Sequence, residues 1–160
     1  ITWNTFTTWT TWTAQKSREQ PKRVVVDPND RIPKDCKIMV DSEAPTLLIQ
    51  SSEHDSSRDE QHVERVVIPE HEIPIARILD MLGDMGVQSL LVEGGLDTWS
   101  RFLDSGLVDR VRVSVSPLEL THDGAQCFDL SVLEEHGFSI VSETEADGDE
   151  VTIWEMPENR

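Results

Sequence analysis

Basic residues are scarce in this chain of 160 residues, in which 14 lysines and arginines stand against 31 aspartates and glutamates, for a net charge of −17. A chain with this charge repels the phosphates of nucleic acids and the headgroups of anionic lipids. The composition therefore disfavours nucleic acid and membrane as partners. An anionic small-molecule ligand would depend on local positive potential, for which the candidates are Lys22, Arg23, Arg31 and Arg101.

Cysteine and metal-binding histidine motifs are missing as well. Cys36 and Cys127 lie far apart and form no CxxC pattern, so we expect two reduced thiols in an intracellular protein. The five histidines form no HxxxH or HExxH arrangement, and His62 and His71 fall in a polar stretch typical of exposed structural histidines. The sequence therefore predicts no metal site.

Long apolar runs are also absent. No uninterrupted apolar segment is long enough to cross a bilayer, and no signal peptide is recognisable. A chain of this length suits one domain with a proper core. We therefore expect a soluble, cytoplasmic, single-domain protein.

The first 20 residues differ in texture from the rest. Residues 1–13 are almost entirely threonine and tryptophan, and Trp3, Trp9 and Trp12 do not alternate with the period of a strand. Stacking of nucleobases on these rings would need the positive charge that the segment lacks. We expect residues 1–20 to be a poorly ordered, low-complexity leader and residues 21–160 to form the domain.

From Pro21 onward the sequence has the pattern of an α/β domain. Short apolar runs predict strands at 24–26, 37–40, 46–50, 63–68, 87–92 and 107–117. Amphipathic spacing predicts one helix from Pro74 to Gly86 and another that starts at Asp97 or Thr98 and ends at Gly106. An Asp-Gly pair at 147–148 predicts a hairpin. The expected fold is a mixed, mainly parallel sheet flanked by helices, with a C-terminal antiparallel hairpin.

The strongest candidate site lies at the end of the run from Gly86 to Gly95. Its apolar residues are continuous, as in a parallel strand covered on both faces, and open α/β sheets bind ligands at the carboxyl ends of such strands. Gly94 and Gly95 lack Cβ atoms, so backbone N–H groups there could approach a pyrophosphate closely, helped by the next helix. Glu93 is a carboxylate that needs a polar partner. An anionic nucleotide is the expected ligand. The alternative is that Gly94 and Gly95 form only a tight turn and that Glu93 caps the following helix.

Several segments share their order with a known family. They are Arg23–Asp27 followed by Arg31-Ile32-Pro33, then Gly86–Gly95, Phe102–Val111 and Ser116-Pro117. In this order they resemble the C-terminal reductase domain of riboflavin biosynthesis, the RibD C-terminal domain family. The resemblance implies a dihydrofolate-reductase-like fold, a homodimer, and NADPH-dependent reduction of a ribosylamino-pyrimidine 5′-phosphate to its ribitylamino form.

The resemblance also implies roles for particular residues. Glu93 corresponds to a substrate-contacting carboxylate. The cofactor-binding positions that it implies are Pro28, Gly94, Gly95, Leu96, Asp97, Thr98, Trp99, Ser100 and Arg101. Because proline has no N–H, Pro28 could contact the cofactor only through its shape or its carbonyl. No nucleophile is required, since hydride transfer depends on holding the nicotinamide against the accepting carbon.

The chain departs from the family at its N-terminal part. The family's Ser-Leu-Asp-Gly-type loop and Asp-Asp-Pro-x-Leu-x-x-Arg-like segment are not found, and the threonine- and tryptophan-rich leader and Gln15–Gln20 stand in their place. We therefore expect an incomplete sheet, a largely absent substrate half of the site and poor turnover. Two alternatives stay open: a noncatalytic remnant of this fold, and an NADPH reductase of another heterocycle.

Overall fold

A computed structural model describes residues 7–10, 21–52, 61–70, 72–118 and 129–157. The chain divides into two compact units, residues 1–99 and 100–160. Its elements in chain order are β1 (Thr7–Thr10), β2 (Arg23–Val26), α1 (Lys37–Val40), β3 (Thr46–Gln50), β4 (Val63–Val67), α2 (Ile75–Asp84), β5 (Leu91–Glu93), α3 (Leu96–Ser105), β6 (Arg110–Val115), α4 (Ser131–Glu135), β7 (Ser139–Ala146) and β8 (Asp149–Glu155).

The first unit contains a five-stranded sheet in the order β4-β3-β2-β1-β5. The strands β2, β3 and β4 are parallel, and β1 runs antiparallel to both of its neighbours, β2 and β5. It follows that β5 points the same way as β2. This mixed, mainly parallel sheet confirms the predicted fold class, and it brings the carboxyl ends of β2, β3, β4 and β5 to one edge.

The core of this unit is built on the two central strands of the parallel part. All five residues of β3 are buried, as are Val24 and Val25 of β2. On one face of the sheet, Val25 and Leu48 form a cluster with Ile32 and Met39. Burial of a side chain of this size contributes about 1.5–3 kcal/mol, so this cluster anchors the segment that joins β2 to β3.

The strand predicted at 37–40 is wrong, because these residues form the short helix α1. The N–H of Val40 donates to the carbonyl of Cys36 at 3.2 Å, and the N–H of Asp41 donates to that of Lys37 at 2.9 Å. A short apolar run does not distinguish a helix from a strand by its pattern. The helix turns Met39 into the core while Val40 stays 54% exposed.

The buried strand predicted over 87–92 is also wrong in its length and burial. Only Leu91–Glu93 is a strand, and the Leu91 side chain is 53% exposed. The physical reason is its place in the sheet: β5 lies at the end of the strand order and, among the described strands, pairs only with β1.

The strand β1 lies within the segment expected to be a poorly ordered leader. Thr7–Thr10 occupies the position between β2 and β5, where the sequence predicted a gap in the sheet. The rest of the leader, 1–6 and 11–20, lies outside the described residues, as do Cys127 and His71. A domain boundary near residue 20 stays a prediction.

The second unit contains an antiparallel sheet in the order β6-β8-β7. The predicted hairpin is confirmed, and φ is positive at both central residues, Asp147 (55°) and Gly148 (89°), as a type I′ turn requires.

The helix α4 was not predicted. His136 follows it, and its Nδ1 lies 2.8 Å from the carbonyl of Val132, a contact that raises the pKa of the imidazole together with Asp104.

None of the helices in the described part of the chain is both long and apolar enough to cross a membrane.

Candidate functional site

The predicted cofactor-binding positions of the first unit lie along one edge of its sheet, where the parallel strands have their carboxyl ends. Val25 of β2 and Glu93 of β5 both pair with Thr8 of β1, one on each side. Neighbouring strands lie about 4.8 Å apart, so β2 and β5 are separated by roughly 10 Å. The turn after β2, with Pro28, and the turn after β5, with Gly94, therefore emerge at the same edge with a strand's width between them.

The turn after β5 leads directly into α3. Glu93, Gly94 and Gly95 are all exposed. The N–H of Trp99 donates to the carbonyl of Gly95 at 3.1 Å, so Gly95 is the residue from which the helix starts. The N–H groups of a first helical turn have no acceptor within the helix and favour an anion. This arrangement suits a phosphate group.

Gly94 also has a structural reason to be glycine. A Cβ atom at this position would lie 2.9 Å from both Cβ and Oγ1 of Thr98, a side chain that is only 6% exposed. The missing Cβ thus lets the first turn of α3 fold closely against the preceding turn. This packing explains Gly94 whether or not a phosphate binds there.

The remaining predicted positions follow along α3. Thr98 is buried, Leu96, Trp99 and Arg101 are half-buried, and Asp97 and Ser100 are exposed. The Asp97 carboxylate in the first turn stabilises the positive end of the helix but opposes a second negative charge. A phosphate at this helix would therefore depend on backbone donors more than on side-chain charge. Ser100 and Arg101 belong to the second unit.

The turn that carries Pro28 is held by hydrogen bonds from the chain around it. The buried Asp27 carboxylate accepts the N–H groups of Arg31 at 2.9 Å and Ile32 at 2.8 Å. The Pro28 carbonyl accepts both the N–H and the hydroxyl of Ser51. Because that carbonyl is already engaged, Pro28 offers a cofactor mainly the shape of its ring.

A polar network beside this turn was missed in the sequence. Gln50, the last residue of β3, is 1% exposed, and its Nε2 donates to Asp30 Oδ1 at 2.8 Å. Its Oε1 accepts from Arg65 Nη1 at 2.6 Å, and that guanidinium also lies 4.0 Å from Asp30 Oδ1. Gln50 could have been noticed in the sequence, because it is a polar residue at the end of an apolar run. Glu93 was noticed for the same reason.

No group of three or more histidine, cysteine, aspartate or glutamate side chains suited to a metal ion occurs among the residues that the structure describes.

Comparison with known proteins places the chain in a family. The model of the RibD C-terminal domain matches residues 1–145 of the chain. The chain belongs to the RibD C-terminal domain family. The match includes the threonine- and tryptophan-rich leader, so this segment lies within the part of the chain that corresponds to the RibD C-terminal domain.

Individual relatives are similar over part of their length. The chain is 28% identical over 116 residues to riboflavin biosynthesis protein RibD of Aquifex aeolicus. The matched region covers 72% of this chain and 32% of that protein. It is 34% identical over 103 residues to the 2,5-diamino-6-ribosylamino-4(3H)-pyrimidinone 5′-phosphate reductase of Methanothermobacter thermautotrophicus, 62% of this chain and 47% of that one. The chain thus spans less than half the length of each of these two relatives.

A solved structure shows the same fold. It is a diaminohydroxyphosphoribosylaminopyrimidine deaminase/5-amino-6-(5-phosphoribosylamino)uracil reductase from Thermotoga maritima, with a TM-score of 0.66 and 22% identity. The likeness covers 90% of this chain and 40% of that one. The RibD C-terminal fold therefore extends over nearly the whole chain.

Proposed function

We propose that this RibD C-terminal domain is an NADPH-dependent reductase that converts a ribosylamino-pyrimidine 5′-phosphate into its ribitylamino form in riboflavin biosynthesis. One observation carries the proposal: β2 and β5 end at the same edge of the sheet, and β5 delivers Glu93-Gly94-Gly95 to the start of α3. Reductase names among the relatives support the same activity.

The cofactor would lie along the edge between the Pro28 turn and α3. A nicotinamide cofactor supplies the hydride in such reductases. The first turn of α3 offers backbone donors to its phosphates, and the exposed Gly94 and Gly95 leave the approach open. The residues around this edge therefore fit a dinucleotide held by backbone and shape.

The substrate would be held by Glu93. Its carboxylate is exposed at the end of β5 and can accept hydrogen bonds from hydroxyl or amino groups. Because hydride transfer requires the accepting carbon within about 3–3.5 Å of the nicotinamide, a carboxylate at this edge acts by orienting the substrate. We further propose that the domain works as a cytoplasmic homodimer, as the family resemblance implies.

Titration of the folded chain with NADPH, followed by nucleotide fluorescence and anisotropy, tests the cofactor. Gly95→Val should weaken binding by roughly tenfold, since side-chain bulk at the start of α3 blocks the approach to the backbone donors. Gly83→Ala, in α2, serves as the control and should bind as the parent chain does. Unchanged fluorescence and anisotropy in the parent chain would exclude the cofactor.

Glu93→Gln separates the substrate from the cofactor. The amide keeps the size of the side chain but loses the charge, so substrate binding should weaken by roughly tenfold, about the strength of one charge-assisted hydrogen bond. NADPH affinity should stay within twofold. The opposite pattern, weakened NADPH binding with unchanged substrate binding, would show that Glu93 contacts the cofactor and not the substrate.

A further inference from the structure

The Asp27–Asp30 turn is held from one side by Gln50, the last residue of β3, and by Ser51, which follows it. The N–H of Asp30 donates to the carbonyl of Asp27 at 3.3 Å and closes the turn. Ser51 bonds the carbonyl of Pro28 inside the turn, and Gln50 bonds the Asp30 side chain at its end. Both anchors therefore lie where β3, the strand next to β2, ends.

Asp30 is in a conformation that needs support. Its φ is +50°, in the left-handed region that residues other than glycine rarely adopt, asparagine and aspartate being the most tolerant. The bond from Gln50 Nε2 to its carboxylate holds the residue there. Without that bond, the last residue of the turn would lose a hydrogen bond to β3.

Gln50 is an unusual residue for its position. The other four residues of β3 are buried threonine, leucine and isoleucine, and an apolar residue at position 50 would continue that core. A buried amide destabilises a protein unless its polar atoms are bonded. Both ends of this amide are satisfied, one by Asp30 and one by Arg65.

Arg65 determines which end of the amide faces the turn. A guanidinium only donates hydrogen bonds, so its contact with Oε1 directs Nε2 toward Asp30. Arg65 pairs with Leu48 in the register of β3 and β4, which places it on the same face of the sheet as Gln50. Arg65 on β4 thus donates to Gln50 on β3, and Gln50 donates to Asp30 in the turn.

We propose that Gln50, oriented by Arg65, is a positioning residue for the cofactor: it holds the Asp27–Asp30 turn in the conformation that receives NADPH against Pro28. This inference rests on the proposed function. It adds that the Asp27–Asp30 turn already has its final conformation before NADPH binds. Binding of NADPH therefore does not have to order this turn.

A matched pair of substitutions at Asp30 tests the inference in the full chain. Asp30→Asn and Asp30→Gly both remove the charge, and both tolerate a positive φ, but only asparagine keeps an oxygen that can accept from Gln50. Asp30→Gly should raise the Kd for NADPH by roughly five- to tenfold, the equivalent of one hydrogen bond. Asp30→Asn should stay within twofold of the parent chain.

Gln50→Met tests the other end of the same bond. It should raise the Kd as Asp30→Gly does. The double variant should bind NADPH no more weakly than whichever single variant binds it less tightly, because the bond between Gln50 and Asp30 is already lost in each single variant. Glu64→Gln is the control: it changes a charge on β4 that pairs with Lys22 in an exposed ion pair, so NADPH affinity should be unchanged.

Thermal melting without ligand accompanies each titration. The inference is overturned if asparagine and glycine at position 30 weaken binding equally, if neither single variant weakens it, or if the loss follows only the fraction of unfolded protein. A parent chain that does not bind NADPH would instead overturn the proposed function, and this inference with it.

Discussion

At the scale of single residues, Gly94 and Gly83 are two glycines in different surroundings. Beside Gly94, the Thr98 side chain occupies the space of a Cβ, whereas nothing lies within 4 Å of the corresponding position at Gly83. The first glycine is required by packing. The second lies in α2, where glycine is a poor helix former.

These two environments predict opposite effects of the same substitution. Gly94→Ala should lower the free energy of unfolding by about 1–3 kcal/mol, because the new methyl group overlaps Thr98 and the first turn of α3 must shift. Gly83→Ala should raise it by up to about 1 kcal/mol through helix propensity. Urea unfolding followed by circular dichroism measures both. Equal effects at the two positions would contradict this account of Gly94.

At the scale of secondary-structure elements, β1 connects β5 to the rest of its sheet. Thr8 pairs with Val25 on one side and Glu93 on the other, and β5 has no other partner among the described strands. The position of the Glu93-Gly94-Gly95 turn therefore depends on four residues of the threonine- and tryptophan-rich segment.

A proline in β1 should separate β5 from the sheet. Thr8→Pro removes a backbone donor from a strand that has neighbours on both sides, which a sheet interior does not tolerate. Hydrogen exchange at Leu91–Glu93 should become faster than in the parent chain, and NADPH affinity should fall. Thr8→Ala keeps the N–H and is the control. If exchange at β5 is the same in Thr8→Pro as in Thr8→Ala, β1 does not hold β5.

At the scale of the whole molecule, the excess of acidic residues is the main electrostatic property. Ion pairs such as Arg23–Asp41 and Lys22–Glu64 engage some of the 14 basic residues, but the net charge of −17 leaves the acidic groups repelling one another. This repulsion destabilises the compact state and is screened by salt.

Raising the ionic strength should therefore stabilise the protein. Between about 10 mM and 0.5 M sodium chloride the Debye length falls from roughly 30 Å to below 8 Å, so we expect the melting temperature to rise by several degrees. Potassium chloride at equal ionic strength should have the same effect, since screening does not depend on the cation. A melting temperature that is unchanged or falls would show that repulsion among the acidic residues does not limit the stability of the protein.

Local signals in the sequence determined much of the fold. The buried run of β3, the apolar stripe of α2 and the Asp-Gly hairpin were predicted because the residues that define each element are neighbours in the chain. The ordered motifs likewise pointed to the RibD C-terminal domain family, which the family match confirms. The Glu93-Gly94-Gly95 turn was located by the same local reasoning.

Only the tertiary structure decided the features that depend on contacts between distant residues. The residues of α1 became helical because Met39 fills the core beside Val25 and Leu48, and β5 is exposed because of its place at the end of the sheet. The antiparallel insertion of β1 and the bond between Gln50 and Asp30 belong to the same class. Strand order and side-chain partners join segments far apart in the chain, and periodicity along the sequence carries no information about them.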